Sequence, residues 1–188
     1  IVHRLDKETS GVIMIAKDDK SHDALAKQFN LRQIKKEYLA LAWGKIDDKG
    51  SIVGNIDRHI KNRLIFTVVK NGGRESHTNY QLEEYLSPLS YMRLMPETGR
   101  THQLRVHLKS IGHPIFGDDS YGGGINNAKS FHIKYTQLLN RLNKNIPRVA
   151  LHAKSLQFTH PATSESMYIE APLSADFKRV LKILKNER

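Results

Sequence analysis

Asp6 stands between two cations, Arg4 and Lys7, in the opening stretch Ile1-Val2-His3-Arg4-Leu5-Asp6-Lys7-Glu8-Thr9-Ser10-Gly11. A carboxylate in such a cluster is a candidate for chemistry. On these residues alone, a surface turn closed by an Asp–Arg contact explains it better. The apolar run Val12-Ile13-Met14-Ile15-Ala16 follows at once and predicts a strand. The cluster then sits at a strand entry, where a scaffold can hold a polar loop.

Other familiar chemistries fit poorly. There is no cysteine, so a thiol nucleophile, a thiolate metal site and disulfides are excluded. Ten histidines are present, but His102 and His107 are five apart and no His-Glu-x-x-His occurs, so no metal site is expected. Ser10-Gly11 lacks the Gly-x-Ser-x-Gly context of a nucleophilic serine. Asp118 and Asp119 form the only adjacent acidic pair in a glycine-rich loop, and turn chemistry accounts for them. Gly122-Gly123-Gly124 is followed by no Gly-Lys-Ser/Thr, which excludes a phosphate loop. Asp6, Tyr38 and the segment Arg100–Arg105 remain.

Charge points to the partner. The 188 residues carry 30 Lys+Arg against 19 Asp+Glu, a formal net charge of +11. An excess of this size in a folding chain suits a polyanion, most often nucleic acid, with an anionic membrane surface as the rival. No apolar run approaches the roughly 20 residues of a membrane span, and neither a signal peptide nor a lipidation motif is seen. The length suits one domain. The chain opens on Ile1, which reads as a piece of a longer protein cut just before the Asp6 loop.

The elements that must position these residues follow from periodicity. Ser21 suits the cap of a helix reaching about Asn30, with Ala24, Leu25 and Phe29 inward. Lys35 to Trp43 alternates and ends at Gly44, as a strand does. Its Tyr38 shares a face with the small Ala40 and Ala42, leaving room for something to pack there. Short strands are expected at 51–56, 64–69, 78–85 and 91–95, and at 149–158 and 166–170, with turns between them. Leu104, Leu108 and Ile111 mark a helix face, with Thr101 as cap and Gly112 as stop. A weak helical period (Ile133, Leu138, Leu139, Leu142) occupies 128–146. A final helix over 175–185 turns Phe177, Val180, Leu181 and Leu184 inward. The expected class is α/β in the α+β sense: a mixed, mostly antiparallel, bent sheet with flanking helices.

His3-Arg4-Leu5-Asp6-x-x-Thr9-Ser10-Gly11 resembles the signature loop of the RluA/RluD-type RNA pseudouridine synthases. Lys36-x-Tyr38-Leu39-Ala40 resembles that family's second motif, and Gly99-Arg100-Thr101-His102-Gln103-Leu104-Arg105-Val106-His107 its third. Gly112-His113-Pro114-Ile115-Phe116-Gly117-Asp118 and Leu151-His152-Ala153 through His160-Pro161 match in style. The five stretches occur in the family's order and cover nearly the whole chain.

The resemblance implies a pseudouridine synthase catalytic domain over residues 1–188, its start missing, with any S4-type RNA-binding module also absent. It implies that Asp6 is the essential carboxylate, acting as a nucleophile or as a base on the ribose. Arg100 would pair with Asp6, and Tyr38 would stack on the uracil and aid proton loss from C5. Arg4 would fill the place of the flipped base. His102, Arg105 and Arg63 are expected to contact RNA, with Arg58, Lys61 and Arg148 as generic phosphate candidates. The implied setting is a cytoplasmic monomer that processes structured rRNA or tRNA, without metal or organic cofactor. Two rivals are a non-catalytic RNA-binding or ribosome-assembly module and a basic peripheral membrane protein.

Overall fold

The computed structural model describes residues 1–130 and 135–187, with the backbone alone at 128–130. Its strands are β1 (Ser10–Gly11), β2 (Lys35–Trp43), β3 (Lys49–Arg58), β4 (Phe66–Val69), β5 (Arg74–Leu86), β6 (Leu89–Pro96), β7 (Leu151–Thr159) and β8 (Ser166–Glu170). Its α-helices are α1 (Asp19–Asn30), α2 (Gln103–Ser110), α3 (Thr136–Asn145) and α4 (Ala175–Asn186). The strands form one sheet in the order β1-β7-β2-β6-β5-β3-β4, and β8 also pairs with β7. β1 runs parallel to β7, and the other pairings are antiparallel. This is the mixed, mostly antiparallel α/β arrangement expected.

β2 lies at the centre, and its second half, Leu39 to Trp43, is buried on both faces. That explains why the run is apolar throughout rather than alternating with polar residues. Leu41, Trp43, Leu94, Leu108, Leu139, Phe177 and Leu184 belong to one main core, which joins the sheet to α2, α3 and α4. Phe177, Val180, Leu181 and Leu184 all point inward, as the period of α4 requires. Leu139 and Leu142 do the same for α3, whereas Ile133 lies outside the described residues.

Three local expectations are corrected. The helix cap is Asp18, not Ser21: Asp18 is extended, and its Oδ1 accepts from the Ser21 N–H at 2.8 Å. Ser21 is thus the donor three positions on, and its hydroxyl donates to the other oxygen. The strand expected over 12–16 stops at Gly11. Past Ala153 the outer edge of β7 is taken by β8, from Ser155 to Thr159, so no partner is left for the chain beyond Val12. The alternation survives without a ladder: Val12, Met14 and Ala16 pack beside Leu25, Leu156 and Phe158, while Ile13 and Ile15 face outward. The third is α2, which begins at Gln103 after a left-handed His102 (φ 55°), not at a Thr101 cap, and leaves Ile111 38% exposed.

One row across the sheet matters for function. Ala153 pairs with Gly11 on one side and with Tyr38 on the other, where β2 carries a bulge between Glu37 and Tyr38. The exit of the Asp6 loop therefore lies two strand spacings, about 10 Å, from Tyr38. Gly11 is required there. Its φ is 115°, and a Cβ would meet the Ala153 carbonyl oxygen at 2.1 Å. Gly11→Ala should destabilise the protein by about 2–5 kcal/mol through strain and overpacking. That corresponds to a thermal midpoint lowered by roughly 5–15 °C. A midpoint unchanged in differential scanning calorimetry would show that the row does not hold the loop.

Candidate active site

Asp6 sits in a turn closed by the Thr9 N–H donating to the Asp6 carbonyl at 3.0 Å. Glu8 takes a left-handed conformation (φ 75°) within that turn. Arg148 grips the turn from the far side. Its guanidinium donates to the Glu8 carbonyl (2.9 Å), to Ser10 Oγ (3.0 Å) and to Ser174 Oγ (3.0 Å). It also forms a two-pronged pair with Asp176, at 2.7 and 3.0 Å. Burial works against the charge of Asp176, but these hydrogen bonds and the arginine outweigh it and hold the carboxyl at about 2. Ser10 also meets His152 Nδ1 at 2.9 Å. Arg148 is thus an internal clamp, not a free phosphate contact.

The arginine beside Asp6 is Arg105, not Arg100. Arg105 Nη1 lies 3.6 Å from Asp6 Oδ2. Arg105 is also locked to Asp118, its Nε and Nη2 donating at 2.7 and 2.8 Å to the two carboxylate oxygens. Its guanidinium lies 4.8 Å from the centre of the Tyr121 ring. Asp118 is fully buried, so this pair is shielded from water. Gly117, with φ 79°, lets the Asp118 turn pass the Arg148 carbonyl, which a Cβ would meet at 2.2 Å. Arg100 lies in the loop before α2, and its Nε donates to the Glu75 carbonyl at 2.9 Å. Both arginines lie near the start of α2, but only Arg105 is on the helix face turned toward Asp118 and Asp6.

A buried chain of hydrogen bonds sets that loop and helix. The His77 N–H donates to Thr98 Oγ1, and the Thr98 hydroxyl donates to Gln103 Oε1 at 2.7 Å. Gln103 Oε1 also accepts the Arg100 N–H at 3.0 Å. Gln103 Nε2 donates to Thr78 Oγ1 (3.0 Å), whose hydroxyl must then donate to His107 Nδ1 (2.9 Å). His107 Nε2–H completes the chain to Ser76 Oγ at 2.8 Å, and Ser76 donates to the Gly54 carbonyl. Every donor finds an acceptor only if His107 is neutral. Burial, and then His77, bring its pKa down to about 4. Sequence reasoning gives no role to Gln103 and His107, for which polar residues beside an apolar helix stripe are the available signal, and it assigns Asp118 to turn chemistry alone.

Asp6, Tyr38, Arg4, His102 and Arg100 line one cleft of about 490 Å³, together with His3, Arg32, Lys36 and Arg74. Arg63 is not part of the cleft lining; it lies on the exposed β3–β4 connection, where its carbonyl accepts from Arg58. Tyr38 is partly buried, and burial followed by the charge of Asp6 pushes its hydroxyl up to about 12. The phenol is therefore protonated at neutral pH. His102 Nδ1 lies 2.7 Å from Tyr121 Oη, which already accepts the Phe66 N–H. The buried Tyr121 hydroxyl then donates to Nδ1, leaving His102 with its proton on Nε2. Thr9 Oγ1, also in the lining, is buried without a hydrogen-bond partner among the described residues. Among those residues no group of three or more His, Asp or Glu side chains could hold a metal ion, and no helix is long and apolar enough to cross a membrane.

Residues 1–110 match the family model described as RNA pseudouridylate synthase. A protein of Xanthomonas campestris pv. campestris named ribosomal large subunit pseudouridine synthase D is 36% identical over 187 residues, covering 100% of this chain and 55% of its own. One of the same name from Nitrosomonas europaea is 39% identical over 186 residues, covering 99% and 51%. The solved structure titled human RNA pseudouridylate synthase domain containing 1 superposes with a TM-score of 0.72 at 27% identity, covering 98% of this chain and 79% of that one. The chain spans about half the length of these two bacterial relatives.

Proposed function

Since the chain belongs to the RNA pseudouridylate synthase family, we propose that it converts uridine in RNA to pseudouridine, with Asp6 as the reacting carboxylate. In that isomerisation the C1′–N1 bond breaks and a C1′–C5 bond forms. The C5 proton leaves to solvent, and N1 gains one. Asp6 acts on the base or on the ribose, with Arg105 fixing its carboxylate from 3.6 Å. Tyr38 offers its ring for stacking. Its hydroxyl, held neutral, relays the C5 proton by accepting one as it gives up its own. Arg4, exposed at the cleft mouth, fills the place the uracil leaves in the stack.

The observation that carries this reading is that Asp6 and Tyr38 share one cation-rich cleft, with Arg105 3.6 Å from the Asp6 carboxylate, although the three come from distant parts of the chain. A binding module has no need of a carboxylate there, because it would repel phosphate. The names of the relatives favour large-subunit rRNA as the target, with tRNA as the alternative. Residues 1–188 act as one catalytic domain, monomeric and cytoplasmic. The test is release of tritium from RNA labelled at uridine C5. Release together with pseudouridine in the digested product is expected; salt-sensitive RNA binding without release would establish the non-catalytic module instead.

A further inference from the structure

Besides Arg4 at its mouth, the cleft is lined by four cations that converge from separate elements. Arg32 follows α1, Lys36 is the second residue of β2, Arg74 opens β5, and Arg100 precedes α2. Among the described residues no carboxylate lies within ion-pair distance of Lys36, Arg74 or Arg100, and Arg32 reaches Glu75 only at 3.9 Å. The contacts made by Lys36 and Arg100 are to the neutral carbonyls of Thr98 (3.0 Å) and Glu75 (2.9 Å). Glu97, the acid that lines the cleft besides Asp6, is occupied by His77 at 2.7 Å and Asn79 at 2.9 Å.

Cations held together with so little counter-charge raise the free energy of the empty cleft. Burial, then Arg100, then Arg32 bring the Lys36 ammonium down to about 8. Arg100 is lowered as well, by burial and then by Arg74 and Arg32, against the opposing charge of Glu75. Structural arginines of this protein, such as Arg105 and Arg148, are matched by aspartates in two-pronged pairs; these four groups have only the exposed Glu75 near Arg32 and Arg100. An anion would relieve their repulsion. Arginine forks and a lysine point charge suit phosphate oxygens, and about 490 Å³ leaves room for more than a uracil ring.

We propose that Arg32, Lys36, Arg74 and Arg100 form a subsite for a backbone phosphodiester of the RNA, beside the uridine that reaches Asp6. This rests on the RNA-modifying reading above, and it gives Arg100 a phosphate in place of the expected Asp6.

The test measures binding of a fluorescein-labelled oligouridylate of about ten nucleotides to the wild-type chain and to Lys36→Met and Arg74→Gln, across a potassium chloride series. Each variant should bind about tenfold more weakly, with the slope of log affinity against log salt reduced by up to about 0.7 per lost phosphate contact. Lys36→Met should also melt at a higher temperature than wild type, because an uncompensated charge has gone. Between about pH 7 and 9 the wild-type affinity should fall as Lys36 loses its proton near 8, and that of Lys36→Met should fall less. Arg32, Arg100 and His3 also face Lys36. The arginines stay charged over this range; His3, lowered by burial and then by Lys36, stays neutral.

Unchanged affinity and slope in both variants would overturn the subsite, as would a lowered melting temperature in Lys36→Met combined with unchanged binding in Arg74→Gln. Inorganic phosphate is the control. It should displace the oligonucleotide only at far higher phosphate concentration; displacement at equal concentration would overturn the assignment to RNA backbone. Tritium release by wild type decides the activity separately. Weakened variants without release keep the subsite and remove the activity, and release with undiminished variants does the reverse.

Discussion

Asp6→Asn is expected to abolish pseudouridine formation while leaving folding and RNA binding in place. The side chain is 20% exposed and meets Arg105 at 3.6 Å, so an amide of the same size fits without repacking. What disappears is the negative charge, and with it the lone pairs of a carboxylate that could attack or abstract a proton. Loss of a residue that touches the reacting atoms lowers turnover by about 10⁴-fold or more. Oligonucleotide affinity should be equal or slightly higher, since a charge facing phosphate has been removed. Tritium release and anisotropy on the same preparation separate the two effects. Turnover within about tenfold of wild type would remove Asp6 from the chemistry.

Arg105→Met should damage both fold and activity. Arg105 is the sole ion partner that Asp118 has among the described residues, and Asp118 is fully buried. Removing one member of such a pair leaves an uncompensated charge, at a cost of about 3–5 kcal/mol. Asp6 loses its neighbour at the same time. The double variant Arg105→Met/Asp118→Asn tells the two consequences apart. Removing the stranded charge should restore much of the melting temperature, yet tritium release should stay absent because nothing then fixes the Asp6 carboxylate. A single variant as stable as wild type would contradict the buried pair. An active double variant would show that Asp6 needs no arginine.

Much of this arrangement is legible in the sequence, because it rests on local pattern. The inward face of α4 follows from its apolar period, and the alternation of β2 places Tyr38 on a face with room beside it. Partner choice is harder. Arg100 and Arg105 are both basic residues near a helix start, and linear order cannot say which one turns toward a loop at the other end of the chain. The deciding facts are three-dimensional. Asp118 waits in a glycine turn for a two-pronged arginine, and Gln103 uses its side chain to hold the backbone of Arg100. The strand expected over 12–16 fails for a similar reason. Its residues have the right character, but β8 claims the edge they would need. Ile111 keeps the period of its helix yet lies at the last turn, where the core has ended.

The Arg148 clamp has a consequence for the timing of synthesis. The turn carrying Asp6 is among the first parts of this stretch to leave the ribosome, yet the groups that hold Arg148 in place, Ser174 and Asp176, are among the last. At about 5–20 residues per second, roughly 8–35 seconds pass between making Asp6 and making its anchor. The β1–β7 pairing is equally remote, joining Ser10 to His152. Contacts of such long sequence separation form late in folding. A nascent chain halted before Ser174 lacks both this anchor and the α4 part of the core, and should therefore leave uridine untouched.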